Sequence, residues 1–113
     1  MLFADLTGYT SFAEDRDSED TRRFLTSYFE KSREIVERFG GMVEKFIGDA
    51  VMAVWGAETA HEDDAERAVR AGFELADLVA KLAAEEGATD LALRVGVNTG
   101  EAPSGRARTT WVS

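Results

Sequence analysis

Cysteine is absent from this sequence of 113 residues, and proline occurs once. Without thiols the chain forms neither disulfides nor thiolate metal sites, which agrees with a reducing compartment, and we expect a cytoplasmic protein. No run of about 18 apolar residues occurs, so the sequence predicts no membrane-spanning helix. The N-terminus has no basic stretch followed by an apolar one, so no secretion signal is indicated.

Positive charge is scarce, because 13 lysines and arginines stand against 22 aspartates and glutamates, giving a net charge of −9. A surface of this sign repels nucleic acid and anionic lipid, so we exclude general nucleic-acid binding. An acidic chain can still bind a nucleotide when divalent cations lie between its carboxylates and the phosphates. The simpler interpretation is that the acidity serves solubility. The chain length leaves room for one domain with one core.

The hydrophobic pattern predicts three helices and four strands. In chain order we expect a strand ending at Asp5, a short helix over 7–15, a helix from Ser18 to the pair Gly40-Gly41, strands over 42–47 and 50–55, a helix over 61–86 and a strand over 91–98. A two-residue Gly48-Asp49 connection between strands is typical of a hairpin. Small residues along one face of the last helix, Gly72 among them, indicate close packing on a sheet.

This order of elements predicts an α+β fold of the ferredoxin-like split βαβ type, with an antiparallel sheet, helices on one face and an incomplete C-terminus. In that topology the first two strands run parallel with the third between them. The carboxyl end of the first strand and the tip of the hairpin then share one edge of the sheet. We therefore expect Asp5 and Asp49 to meet there, in loops open to solvent.

Two facing aspartates with little basic charge nearby suggest a divalent cation site. Mg²⁺ prefers one or two carboxylates plus phosphate oxygens of a substrate, and two ions can hold the attacking and leaving oxygens of a phosphoryl displacement. The backbone N–H groups of Thr7, Gly8, Tyr9 and Thr10 can hold further phosphate oxygens. On spacing alone, a strand-end aspartate and a turn aspartate without chemical function remain an open alternative.

Four segments resemble, in the same order, motifs of the class III nucleotidyl cyclases, the adenylate and guanylate cyclase catalytic domains. They are FADLTGYT at 3–10, EKFIGDAVMAVWGA at 44–57, HEDDAERAVRA at 61–71 and LRVGVNTGE at 93–101. The resemblance covers residues 1–101. It is specific, because four motifs keep the family's order and spacing, and it implies the cyclase variant of the fold.

The resemblance implies that Asp5 and Asp49 are catalytic and bind two Mg²⁺ or Mn²⁺ ions, with the carbonyl of Leu6 as a further ligand. Lys45 falls at the family's base-reading position. A lysine donates to N1 of adenine, whereas guanine presents a donor at that edge, so ATP is the implied substrate. The implied reaction is attack of the ribose 3′-oxygen on the α-phosphorus, giving 3′,5′-cyclic AMP and pyrophosphate for cyclic nucleotide signalling. The family's active site forms between two subunits, usually of a homodimer.

The sequence departs from the family after its last matching strand. The family continues with another strand, a second base-reading acid and an asparagine followed four residues later by an arginine, whereas here Asn98 is followed four residues later by Ala102. We expect a partial cyclase domain over 1–100 and an irregular tail over 101–113, which holds Pro103 and shows no periodicity. The resemblance also begins inside the family's first strand, so we expect truncation at both ends, and a shifted reading frame near codon 101 would explain the tail.

Three interpretations follow for the chain as a whole. It is a cyclase domain with little activity alone, or a non-catalytic partner that lends Asp5, Asp49 and Lys45 to a full-length cyclase subunit, or an unrelated acidic interaction module. The aspartates favour the first two, and the departure at Asn98 favours the second. His61, the single histidine, is expected to begin a helix and to have no catalytic role.

Overall fold

The computed structural model describes residues 1–56, 62–88, 90–101 and 106–112, and gives side-chain surroundings within these ranges up to residue 98. Its elements are β1 (Leu2–Thr7), α1 (Tyr9–Glu14), α2 (Ser18–Arg38), β2 (Met42–Ile47), β3 (Ala50–Val54), α3 (Asp64–Glu85), β4 (Ala92–Glu101) and β5 (Arg106–Val112). The predicted elements from β1 to β4 are confirmed to within a few residues. His61 and its expected place at a helix start lie outside the described residues. No described helix combines the length and the apolar character that crossing a bilayer requires.

The strands form one sheet in the order β2-β3-β1-β4-β5, with every neighbouring pair antiparallel. β1 and β2 therefore run parallel with β3 between them, and the predicted ferredoxin-like α+β class is confirmed. Helices α2 and α3 cover one face. Alternate strand residues point toward them, as shown by burial of Leu2, Ala4, Leu6, Val51, Ala53, Leu93, Val95 and Val97. The other face, which we call the open face, carries the remaining side chains of β1 to β4.

Small residues let α3 approach the sheet closely, as predicted. A Cβ built on Gly72 would lie 3.0 Å from Cγ1 of Val95 and 3.8 Å from Cδ1 of Leu2, so the helix backbone itself contacts strand side chains. Ala68 and Val79, one turn before and two turns after, are buried in the same contact. Ala65, at the start of the helix, is exposed and takes no part in this packing.

Aromatic side chains fasten α2 to the hairpin of β2 and β3. The rings of Phe29 and Phe46 have centroids 4.3 Å apart, and Nε1 of Trp55 donates a hydrogen bond of 2.9 Å to the carbonyl of Phe39. Tyr28 is completely buried, while Phe29 and Phe39 pack against the core with part of their surface exposed. These three aromatic side chains therefore belong to the core between α2 and the sheet.

The expectation of an irregular tail is wrong for residues 106–112. They form β5, which pairs with β4 from Val95↔Val112 to Glu101↔Arg106. The segment has the threonine, tryptophan and valine that favour extended structure, and β4 offers it a row of backbone donors and acceptors that need partners. Residues 102–105, including Pro103, lie outside the described residues.

Candidate active site

The register of β1 and β3 brings the two predicted aspartates to one edge of the sheet. Ala4 pairs with Val51, so Asp5 lies beside Ala50, and Asp49 is the turn residue just before it. Gly48 opens this turn with φ of 59°, a left-handed conformation that glycine adopts without the steric cost of a side chain. The end of β1 and the tip of the hairpin thus meet, as the element order predicts.

The two carboxylates act on each other electrostatically. The pKa of Asp49 is raised, first by burial and then by the negative charge of Asp5, while a hydrogen bond to its own backbone N–H acts in the opposite direction. Among the described residues, the buried Oδ1 of Asp5 has no hydrogen-bond partner. An unsatisfied oxygen beside a second carboxylate is an arrangement that a hard divalent cation stabilises.

Few protein groups at this edge could bind a metal ion. In the described part of the chain, no group of three or more histidine, cysteine, aspartate or glutamate side chains is placed to hold a metal ion. A cation at this edge would therefore depend on Asp5, Asp49, backbone carbonyls and the oxygens of its own ligand. That composition suits Mg²⁺ or Mn²⁺ bound together with a phosphate chain better than a cation enclosed by protein ligands.

Arg94 adds a positive charge to the site that the sequence analysis did not predict. It pairs directly with Asp5 in the register of β1 and β4, and its Nε lies 3.8 Å from Oδ1 of Asp5. Its side chain is 58% exposed, so the guanidinium faces solvent beside the carboxylate. The alternation of β4 already placed Arg94 on the exposed face of its strand, but only the register shows which residue it faces.

Lys45 reaches the open face because β2 contains a bulge. Val43 pairs with Ala53 and Lys45 with Met52, so Glu44 is an extra residue between them. If β2 kept this sequence but had no bulge, regular alternation would place Lys45 on the buried face with Val43. Met52 also pairs with Phe3 of β1. Phe3 lies two residues before Asp5 on the same face of the strand, so Lys45 shares the face of Asp5 and lies two residues further from the edge where the aspartates meet. The lysine is exposed.

The turn from Thr7 to Thr10 connects β1 to α1 beside the aspartates. Gly8 has φ of 77°, and a Cβ there would lie 2.5 Å from the carbonyl oxygen of Asp90, so only glycine fits. The Thr7 hydroxyl donates to the carbonyl of Ala92 at 3.2 Å. Burial, and then the negative charge of Asp49, raise the pKa of Tyr9.

Leu6, between Asp5 and this turn, buries its side chain in the core with 7% exposure. Only its backbone carbonyl is therefore available to a ligand. Of the residues singled out from the sequence, Asp5, Leu6, Asp49 and the 7–10 turn share one edge, and Lys45 lies on the adjoining open face.

Comparison with known proteins identifies a matching family model and several relatives. Residues 1–110 match the family model described as the adenylate and guanylate cyclase catalytic domain. Adenylate cyclase 1 of Rhizobium meliloti is 30% identical over 107 residues, which are 92% of this chain and 16% of that protein. An adenylate cyclase of Mycobacterium tuberculosis is 30% identical over 105 residues, which are 93% of this chain and 24% of that protein. The chain thus spans less than a quarter of either relative.

Solved structures with the same fold include both adenylyl and guanylyl cyclases. The adenylyl cyclase CyaB from P. aeruginosa superposes with a TM-score of 0.71 at 23% identity, over 99% of this chain and 63% of that chain. The guanylyl cyclase Cya2 gives a TM-score of 0.71 at 28% identity, over 99% of this chain and 61% of that chain. Fold similarity alone therefore does not distinguish adenine from guanine.

Proposed function

Because the chain belongs to the adenylate and guanylate cyclase catalytic domain family, we propose that it binds ATP with divalent cations at the edge where Asp5 and Asp49 meet. The family interpretation replaces that of an unrelated acidic interaction module, which is wrong. The observation that carries the proposal is that Asp5, at the end of β1, and Asp49, in the turn between β2 and β3, lie at one edge of the sheet, where Oδ1 of Asp5 makes no hydrogen bond within the described residues. The proposed reaction is conversion of ATP to 3′,5′-cyclic AMP and pyrophosphate in cyclic nucleotide signalling.

We propose that the carboxylates of Asp5 and Asp49 and the carbonyl of Leu6 hold two Mg²⁺ or Mn²⁺ ions. When bound, such ions favour loss of the proton from the ribose 3′-hydroxyl and neutralise charge on the departing pyrophosphate. The two aspartates supply the negative charge that retains the cations. Arg94, beside Asp5, supplies a positive charge for the triphosphate, and the N–H groups of residues 7–10 supply neutral donors.

Lys45 is the residue that we propose to select the base. Its ammonium is exposed on the same face as Asp5, where it can donate to N1 of adenine. Guanine carries a hydrogen at N1 and would leave two donors facing each other. The mispaired donor makes GTP the poorer ligand, and the adenylate cyclases among the relatives agree with this choice.

Turnover by this chain alone is proposed to be low. In the cyclase family, an asparagine and an arginine four residues later contact the ribose and the transition state. Residues 98–113 contain no asparagine that is followed four residues later by an arginine. Removal of one electrostatic stabiliser of a transition state typically costs about 100–1,000-fold in rate. We therefore propose that the chain works as a homodimer of low activity, or as the partner that lends its aspartates and Lys45 to a full-length cyclase subunit.

A binding experiment tests the site and a mixing experiment tests the partner. With Mn²⁺ and ATP we expect the thermal unfolding midpoint of the chain to rise, and Asp49→Asn to abolish that rise while Asp77→Asn, on the exposed side of α3, preserves it. Cyclic AMP formed by the chain alone would support the first form of the proposal. Cyclic AMP formed only with a full-length subunit would support the second. No shift with Mn²⁺ and ATP, in a chain that unfolds cooperatively, would contradict both.

A further inference from the structure

The strand β2 lies at one end of the sheet order, and in the described part of the chain no strand pairs with its outer edge. Such an edge presents backbone N–H and C=O groups that a further strand can bind. Met42 and Ile47, at the two ends of β2, are 53% and 51% exposed although both side chains are large and apolar. The strand thus combines an open backbone edge with exposed apolar surface at both ends.

The register with β3 divides the side chains of β2 between the two faces of the sheet. On the open face lie Met42, Lys45 and Ile47, and on the face that the helices cover lie Val43 and Phe46. Glu44, the extra residue of the bulge, is exposed. A strand that pairs with this edge must match this division, because opposite residues of a ladder share a face.

The sequence of β2 is complementary to itself when a second copy runs antiparallel to it. One register sets Met42 against Ile47 of the partner subunit, Val43 against the partner's Phe46 and Glu44 against the partner's Lys45. A two-fold axis then repeats each of these pairs. Apolar side chains meet apolar ones on the same face, and an acid meets a base. Cross-strand pairs of both kinds stabilise an antiparallel ladder.

Charge and face together select this register. A shift of one residue in one direction would set Lys45 against Lys45 of the partner subunit, and a shift in the other would set Glu44 against the partner's Glu44. Either shift would also oppose open-face side chains to helix-side ones. Charged side chains on an edge strand usually hinder pairing, whereas the adjacent acid and base of β2 neutralise those of a second copy.

We propose that β2 is an interface at which two copies of this chain pair antiparallel across a two-fold axis and join their sheets into one. Because this axis stands perpendicular to the joined sheet, both open faces lie on the same side and remain uncovered. The edge where Asp5 and Asp49 meet takes no part in the contact. The inference therefore does not rest on the proposed function.

A disulfide tests the register, since the chain has no cysteine of its own. Opposite residues of an antiparallel ladder have Cα atoms about 4.5–5.5 Å apart, within the range that a disulfide spans. The double variant Met42→Cys with Ile47→Cys should therefore form a covalent dimer on mild oxidation. Either single variant should not, because five residues along the strand, about 16 Å, separate its two copies. Met42→Cys with Phe73→Cys, which is equally exposed on α3, is the matched control and should also stay uncrosslinked.

A charge exchange tests the central pair. Sedimentation equilibrium of the full chain, without cation or nucleotide, measures the dimer dissociation constant. Glu44→Lys should raise this constant by about 10-fold, since the two-fold axis repeats the unfavourable pair, and adding Lys45→Glu should restore it. Glu85→Lys, the same change at an exposed position of α3, should have little effect. Thermal unfolding of each variant checks that the fold is retained.

Three results would overturn the inference. The first is an unaltered chain that sediments as a monomer at the highest concentration at which it stays soluble. The second is a covalent dimer formed equally by the single cysteine variants, which would place another surface between the copies. The third is equal weakening by Glu44→Lys and Glu85→Lys, or no restoration by the exchange, which would assign the effect to net charge. None of these results concerns the binding of ATP with Mn²⁺, on which the proposed function is tested.

Discussion

Arg94 and Asp5 face each other across β4 and β1, with Nε of the arginine 3.8 Å from Oδ1 of the aspartate. The guanidinium therefore lies next to a carboxylate that we propose as a cation ligand. It competes with a cation for that carboxylate, yet it also attracts an anion that the cation brings with it. These opposite effects can be separated by titrating the cation with and without nucleotide.

Replacing Arg94 by glutamine should therefore have opposite effects on two ligands. Mn²⁺ alone is expected to bind more tightly by a small factor, since an exposed ion pair contributes only about 0–1 kcal/mol. Mn²⁺ with ATP is expected to bind more weakly, by about 10-fold, because a hydrogen bond to a charged group contributes about 1.5–3 kcal/mol. Calorimetry measures both, and Arg70→Gln, which breaks an exposed pair with Glu66 on α3, is the control. Weaker binding of Mn²⁺ alone would contradict the competition.

The raised pKa of Asp49 gives a second prediction, on stability without cation. Since the folded pKa lies above the ordinary value of 3.8, the native state binds more protons between the two values. The stability contribution of this group therefore falls as pH rises through that window. Asp49→Asn should raise the free energy of unfolding at pH 7 by up to about 1 kcal/mol, and the gain should vanish below the ordinary pKa. Urea unfolding measures it, and a loss of stability at pH 7 would contradict the repulsion.

Base selection by Lys45 predicts a change of preference. Lys45→Glu offers an acceptor where adenine needs a donor, so the ratio of ATP to GTP affinity in the presence of Mn²⁺ should fall by about 10-fold or more. Lys31→Glu, exposed on α2, makes the same change of charge away from the site and should weaken both nucleotides equally. Equal losses of ATP and GTP binding in both variants would mean that Lys45 acts by charge alone.

Close packing at Gly72 predicts that a larger side chain at this position lowers the stability of the fold. Gly72→Val would press a branched side chain against Val95, whose Cγ1 would already lie 3.0 Å from a Cβ, and overpacking of this kind typically costs about 1–3 kcal/mol. Ala80→Val, exposed on the same helix, reports the cost of the β-branched residue without the contact. Similar unfolding midpoints for the two variants would show that α3 can move away from the sheet.

The part of the site that follows from the order of elements could be predicted from the sequence. Asp5 and Asp49 each come at the end of a local pattern, one after a short apolar run and the other in a two-residue turn. Once the split βαβ order is recognised, chain topology alone brings these ends together. The resemblance then implied a role for Lys45, a residue that the register of β2 places on the open face.

The rest depended on pairing between distant segments. Arg94 has the same local pattern as any exposed strand residue, and only the register with β1 shows that it faces Asp5. β5 escaped prediction because its residues show no regular alternation, and its stability comes from β4. The helical spacing of Tyr28 agrees with its burial, but no hydropathy pattern reports whether a buried hydroxyl has a partner.

Because of the bulge at Glu44, β2 should tolerate the loss of one residue at some positions and not at others. Removal of that one residue would leave Val43, Lys45 and Phe46 in the simple alternation they already follow, facing the same sides as before. Removal of a residue between Lys45 and the turn would instead reverse the side to which the lysine points. Natural variants should therefore lose the codon for Glu44 far more readily than a codon between Lys45 and the turn.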